Sequence, residues 1–218
     1  VLSDSFGQMV VQIQRLMEQV RAEEVNLRKT ELKALQAQIN PHFLFNTLNT
    51  LYGLMLTDVA RAETAFMQFM ELTKYMYTNA EKDKVSLRAE IDYIRQYIEL
   101  QKNRMNDRTE VHLSIESRNE RPDAVIAPMI LITFVENALK YGVSSHVRSD
   151  IFIDLALDGD SLHFATRNPI VVRPSAEKSG FGIANCRKRL DLLYPGRYVL
   201  KIREEADEYR VTLDLKLH

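Results

Sequence analysis

Leu-Lys-Ala-Leu-Gln-Ala-Gln-Ile-Asn-Pro-His-Phe-Leu-Phe-Asn-Thr-Leu-Asn-Thr-Leu, residues 32–51, is the stretch on which the architecture of the chain turns. Both sides of it have helical spacing. Leu32, Leu35 and Ile39 make one apolar row, and Phe45, Leu48 and Leu51 make another. Pro41 stands between them, where it removes a backbone donor and crowds the carbonyl of Ala37. That costs roughly 3 kcal/mol or more inside a helix, so a kink is expected, with His42 directly after it. Gln38 and Asn46 share a helical face with His42 and put amides at the level of its ring. From the residues alone two readings stand for His42, a core histidine beside a kink or a reactive one.

The string Gln-Ile-Asn-Pro-His-Phe-Leu-Phe-Asn-Thr-Leu-Asn, residues 38–49, resembles the phosphoacceptor motif of the LytS/YesM-type sensor histidine kinases, a branch of two-component signalling. The resemblance implies that His42 takes a phosphoryl group from ATP and that a response regulator then receives it. Such chemistry needs a neutral imidazole near pH 7, which an unperturbed histidine supplies. No carboxylate lies within four residues of His42, and Phe43 follows it. Gln38 and Asn46 are therefore expected to orient the ring without acting as strong bases, and positioning should dominate over proton abstraction. The kink at Pro41 would serve as a hinge between kinase-facing and regulator-facing poses of His42.

Composition narrows the classes. The 218 residues are 45% hydrophobic, enough for a sizeable core and for one or two domains. A net charge of −1 gives no electrostatic case for nucleic acid or an anionic membrane surface. Cys186 is the only cysteine, which excludes an internal disulfide framework and suits a reducing cytosol. No apolar run approaches the roughly 18 residues of a membrane span. The chain begins with Val1 and is expected to be the cytoplasmic portion of a longer protein, with an upstream sensor in the cytoplasmic membrane.

Upstream, Leu2, Phe6, Met9, Ile13, Leu16 and Val20 follow heptad spacing, and the row resumes in a shifted phase at Val25. Residues 1–31 are thus expected as a coiled coil, acting as a signalling relay or as a structural stalk. Downstream, Thr57 to Ala60 is expected as a turn that lacks Gly and Pro. A second helix should run over residues 62–78, with Ala65, Phe66, Phe69, Leu72, Tyr75 and Met76 on its apolar face. One helical hairpin cannot hide that much apolar surface, so a homodimer joined as a four-helix bundle is expected. Residues 80–86 read as a polar linker, with a domain boundary near residue 84.

From residue 87 helices and strands mix. Ser86 should cap a helix from Leu87, and Val111 to Ile115 alternate as a strand. Met129 to Tyr141 should be a buried helix stopped by Gly142. Residues 151–157 and 161–167 should form a hairpin turning at Asp158-Gly159-Asp160. A helix over 183–194 and strands over 198–203 and 209–217 complete the chain. The expected fold is a helical-hairpin dimerisation domain with an N-terminal coiled coil, followed by an α/β sandwich. The divisions are residues 1–31, 32–84 and 85–218.

Ala-Pro-Met-Ile-Leu-Ile-Thr-Phe-Val-Glu-Asn-Ala-Leu-Lys-Tyr-Gly, residues 127–142, resembles the N-box of the Bergerat-type ATPase domain shared by histidine kinases, Hsp90, gyrase and MutL. The resemblance implies ATP with Mg²⁺ as cofactors. Asn137 would be the metal-holding residue, with Glu136, Lys140 and Tyr141 beside the nucleotide. A solvent-facing polar stripe is the plainer alternative for these positions. A neutral amide oxygen and a compact ammonium suit hydrated Mg²⁺ and phosphate respectively. Ser-Gly-Phe-Gly-Ile-Ala-Asn-Cys-Arg-Lys-Arg-Leu, residues 179–190, resembles the family's glycine box and implies that Gly180, Gly182, Asn185 and Arg189 bind the nucleotide. The family's Asp-x-Gly-x-Gly box is missing, since its place reads Ala165-Thr166-Arg167-Asn168-Pro169. Asn168 is expected to read adenine instead, its oxygen accepting from the amino group.

The resemblance extends over residues 85–104, where Arg104 would reach the nucleotide or cap its helix. The expected activity is that of an ATP-dependent protein histidine kinase with His42 as acceptor. A catalytically weak dimeric scaffold of the same fold is the alternative, and an ATPase of the Hsp90 or MutL kind is disfavoured by the upstream histidine motif.

Overall fold

The computed structural model describes residues 12, 14–21, 23, 41–80, 82–118, 123–144, 147–171 and 181–217. The chain divides into two units, Val1–Ile39 and Asn40–His218. In the first, the described residues are helical and exposed, and the heptad positions Leu16 and Val20 are each 54% exposed. The other heptad positions and Gln38 lie outside the described residues.

The second unit opens with two helices, α1 (Pro41–Thr57) and α2 (Val59–Asn79). Only Asp58 separates them. Its non-helical backbone (φ −152°, ψ 89°) breaks the helix, and its carboxylate accepts from the amide of Arg61 at 3.1 Å. The expected turn thus needs neither Gly nor Pro, because an aspartate N-cap restarts the chain as a new helix. The helices fold back on each other, bringing the rings of Phe43 and Phe69 within 6.3 Å. The expected bend at Pro41 falls at the edge of the described residues.

The apolar rows read from the sequence divide here. In α1 the buried row is Phe43, Thr47 and Leu51, whereas Phe45 and Leu48 are 69% and 50% exposed. In α2, Ala65, Phe69, Leu72 and Met76 are buried as expected, but Phe66 is 50% exposed. The helices are apolar on more than one side, so periodicity alone could not tell which side faces this chain's own core.

A short strand, β1 (Val85–Ser86), replaces the end of the expected linker and later pairs antiparallel with β3 (Val125–Ile126). Ser86 then caps α3 (Leu87–Lys102), its hydroxyl accepting from the amide of Ala89 at 3.2 Å. There follow β2 (Thr109–Arg118), α4 (Leu131–Gly142), β4 (Ser149–Asp158), β5 (Ser161–Pro169), α5 (Phe181–Leu193), β6 (Tyr198–Glu204) and β7 (Glu208–Lys216). The five-stranded sheet runs β2-β4-β5-β7-β6. β2 and β4 are parallel, and α4 lies in the crossover between them; the other pairs are antiparallel.

Alternation along the strands puts Ile151, Ile153, Leu155, Leu162, Phe164, Val211 and Leu213 on one buried face. Helix α4 packs on β4 and β5, with α3 and α5 beside it. Phe134 of α4 meets Phe164 of β5 at 6.2 Å between ring centroids. This is the expected two-layer α/β sandwich. The helical pair leans on α3, where Phe43 meets Tyr97 at 5.2 Å and Tyr75 stacks on Tyr93 at 4.7 Å.

Candidate active site

Helix α4 carries the N-box residues. Asn137 is half-buried, and its side chain lies near the Tyr209 hydroxyl at the start of β7. Burial, followed by the charge of Glu204, pushes that phenol up, while the neighbouring Asn137 amide pulls the other way. Glu136 is also half-buried, and its charge faces Tyr93 and Tyr97 of α3, whose phenols burial already pushes up. Lys140 is exposed, with its ammonium 5.0 Å from the ring centroid of half-buried Tyr141.

The end of α4 meets the end of β5. Gly142 was expected to stop the helix, but it is the last helical residue and is buried for another reason. A Cβ there would lie 2.8 Å from Cβ of Asn168 and 3.0 Å from Cδ1 of Ile151. Glycine therefore permits the close approach of α4 to β5. Asn168 is 1% exposed, and its amide nitrogen donates to the carbonyl of Pro169 at 2.9 Å. Its Oδ1 has no partner among the described residues. A buried amide oxygen left bare costs on the order of 1–3 kcal/mol, so this one is suited to a donor brought by a ligand. Asn168 and Tyr209 are direct neighbours across β5 and β7. Asn137, Gly142, Asn168 and Tyr209 therefore gather at one end of the sheet.

The glycine box is divided by the structure. Gly180 lies outside the described residues. Gly182 is exposed, and a Cβ there would meet only Cγ2 of Thr133 at 3.8 Å, an ordinary contact. Its missing side chain leaves space beside the first turns of α4 and α5. Asn185 is half-buried. Arg189 departs from expectation. It is 6% exposed and turned inward, donating to the carbonyl of Pro128 at 2.6 Å and to that of Met129 at 3.5 Å. Both terminal nitrogens are held by backbone, so in this structure Arg189 braces the turn before α4 and does not face the nucleotide end. Arg104 likewise donates to Oε1 of Gln101 at 3.3 Å, the helix-end alternative.

At the other candidate centre, the backbone of His42 is helical and Asn46 is half-buried one turn further along α1. The family model for histidine kinases matches residues 30–109, which include the His42 motif and α3. Sensor protein LytS of Bacillus subtilis is 31% identical over 197 residues, 83% of this chain. The chain belongs to the LytS-type sensor histidine kinases. Sensor protein kinase HptS of Staphylococcus aureus is 34% identical over 151 residues, 69% of the chain. The aligned parts span 32% of LytS and 28% of HptS, so the chain corresponds to about a third of these relatives. Among solved structures, the kinase domain of a blue-light activated histidine kinase from Erythrobacter litoralis aligns with 88% of this chain and 96% of its own. Its TM-score is 0.45 at 10% identity. Among the described residues, no helix is long and apolar enough to cross a membrane.

Three residues of this chain escape the reading of motifs. Tyr209 was seen only as a strand residue. Tyr75 belongs to the apolar face expected of the second helix. Glu90 falls within residues 85–104, where the resemblance gives it no role, yet it is fully buried. The signal was available, because Leu87, Glu90, Ile94 and Tyr97 share one helical row, and a carboxylate in an apolar row calls for partners.

Proposed function

We propose that this chain is the ATP-dependent protein kinase portion of a two-component sensor, phosphorylating itself on His42 and passing the phosphoryl group to an aspartate of a response regulator. The observation that carries the reading is the bare, buried acceptor of Asn168 beside the helix that bears Asn137. That acceptor suits the amino group of adenine, so the residues present fit ATP. In this reading Asn137 holds Mg²⁺, and Glu136, Lys140, Tyr141, Gly180, Gly182 and Asn185 line the nucleotide. Bound ATP with Mg²⁺ would supply the phosphoryl group and spread its charge during transfer. The chain's own part is orientation. Gln38 and Asn46 are the amides assigned to orienting the His42 ring, which would take part as a neutral imidazole.

Residues 1–31 then act as a coiled-coil signalling segment, 32–84 as the dimerisation and phosphoacceptor domain, and 85–218 as the ATP-binding domain. The exposed apolar side chains of α1 and α2 support a homodimer through these helices. The missing Asp-x-Gly-x-Gly box favours one second reading, a catalytically weak scaffold of the same fold.

Incubation with γ-labelled ATP and Mg²⁺ separates the two. Label on the wild-type protein and none on His42→Ala is expected; no label on the wild type supports the scaffold, and label persisting on His42→Ala overturns the assignment of the acceptor. Asn168→Ala should weaken ATP binding about tenfold by calorimetry, the worth of one hydrogen bond. Unchanged affinity would remove Asn168 from the adenine site.

A further inference from the structure

A buried carboxylate joins three segments that the motifs treat separately. Glu90 lies in the first turn of α3 with no exposed surface. Its Oε1 accepts from the Tyr75 hydroxyl at 2.8 Å and from the backbone amide of Met129 at 3.0 Å. Its Oε2 has no partner among the described residues, and burial pushes the carboxyl up, an effect that those two donors and Arg189 nearby oppose.

Each donor belongs to a different part of the molecule. Tyr75 is on α2, which folds back along the helix of His42. Met129 is just ahead of α4 and is the described non-glycine residue with a positive φ, 62°. A side chain in that region costs about 1–2 kcal/mol per residue and persists where its surroundings hold it. Here the Met129 amide is held by Glu90, and the carbonyls of Pro128 and Met129 are held by Arg189 of α5. The clamped turn fixes where α4 begins, and α4 carries Asn137.

We propose that Tyr75 and Glu90 are positioning residues that make the placement of α4 depend on how α2 is seated, through the chain Tyr75 hydroxyl, Glu90 carboxylate, Met129 turn. The consequence for ATP rests on the kinase reading above; the mechanical link does not. A change in the seating of α2 withdraws the Tyr75 hydroxyl and loosens the carboxylate from the Met129 amide. The strained turn then opens and α4 loses its fixed start.

Hydrogen exchange on the intact chain, first without nucleotide, tests the link. Tyr75→Phe keeps the ring that stacks on Tyr93 and removes only the donor. The amides of Met129 and of the first turns of α4 should exchange about tenfold faster, while those of β6 and β7 keep their wild-type rates. Glu90→Gln keeps an acceptor oxygen for both donors and should hold the Met129 amide closer to its wild-type rate than Tyr75→Phe does. Wild-type exchange at Met129 and α4 in Tyr75→Phe overturns the proposal. So does a rise that β6 and β7 share, which would make Tyr75 mere packing. With ATP and Mg²⁺ added, Tyr75→Phe should bind several-fold more weakly. If the link is present but wild type binds no ATP, the kinase reading fails and the coupling stands.

Discussion

The helical pair and the sandwich handle apolar surface in opposite ways. In the sandwich, Val147 and Val199 are the large hydrophobic side chains left well exposed among the described residues. The pair exposes Phe45, Leu48, Tyr52, Met55 and Leu56 from α1, and Val59, Phe66, Met67, Met70 and Tyr77 from α2. One region completes its core within a single chain. The other carries a core's worth of side chains facing outward, more than a monomeric surface ordinarily leaves. The lesson is that a sequence can specify a helix firmly and still leave open what the helix packs against.

The sharpest way to break this contrast is to charge the outward face. Leu48→Glu combined with Met67→Glu should convert a dimer to a monomer by analytical ultracentrifugation, raising the dissociation constant at least a hundredfold. Burying four unpaired carboxylates in a dimer interface costs several kcal/mol. Helicity by circular dichroism should be kept, since both positions are exposed in the single chain. A dimer that survives would mean that this face is not the interface.

Next come two phenylalanine truncations. Phe134 has no exposed surface and packs on Phe164, so Phe134→Ala should cost about 3–5 kcal/mol in urea unfolding. Phe45→Ala, made in the charged monomeric variant, should change stability by no more than about 0.5 kcal/mol. Similar costs at the two positions would erase the distinction between the regions.

The same contrast shows how much could be read from residues. Strands β4 to β7 and helices α3 to α5 were legible to within a few residues, because each buries one face and alternation or helical spacing reports that face. The two-residue ladder of β1 and β3 was not, since two residues have no period. Phe43 was read only as a neighbour of His42, although it is buried and Phe45 is not. Both are apolar, and which one turns inward is decided by α3, far along the chain. Candidate site residues in contiguous motifs rest on the resemblance alone. The inward turn of Arg189 was not, because it is set by the carbonyls of Pro128 and Met129. Nor was the clasp between Gly142 and Asn168, which exists only once helix and strand are packed.

The smallest effect concerns Cys186, inside the finished core. Burial pushes its thiol up to about 12. Because the thiolate is the reactive form, folded protein at pH 8 should resist iodoacetamide, and protein in urea should react at an ordinary rate. Rapid alkylation of the folded chain would mean that the sandwich opens more readily than its packing suggests.

Asp58 leaves almost no slack between α1 and α2. The connection is two Cα–Cα steps of about 3.8 Å each, and here both neighbouring helices are tied to it, with the Asp58 amide bonded to Leu54 and its carboxylate to Arg61. A rotation of α1 about its axis therefore has little besides the φ and ψ of Asp58 to absorb it before it reaches α2. The junction has the build of a stiff elbow, with no loop between the histidine helix and the return helix in which twist could dissipate.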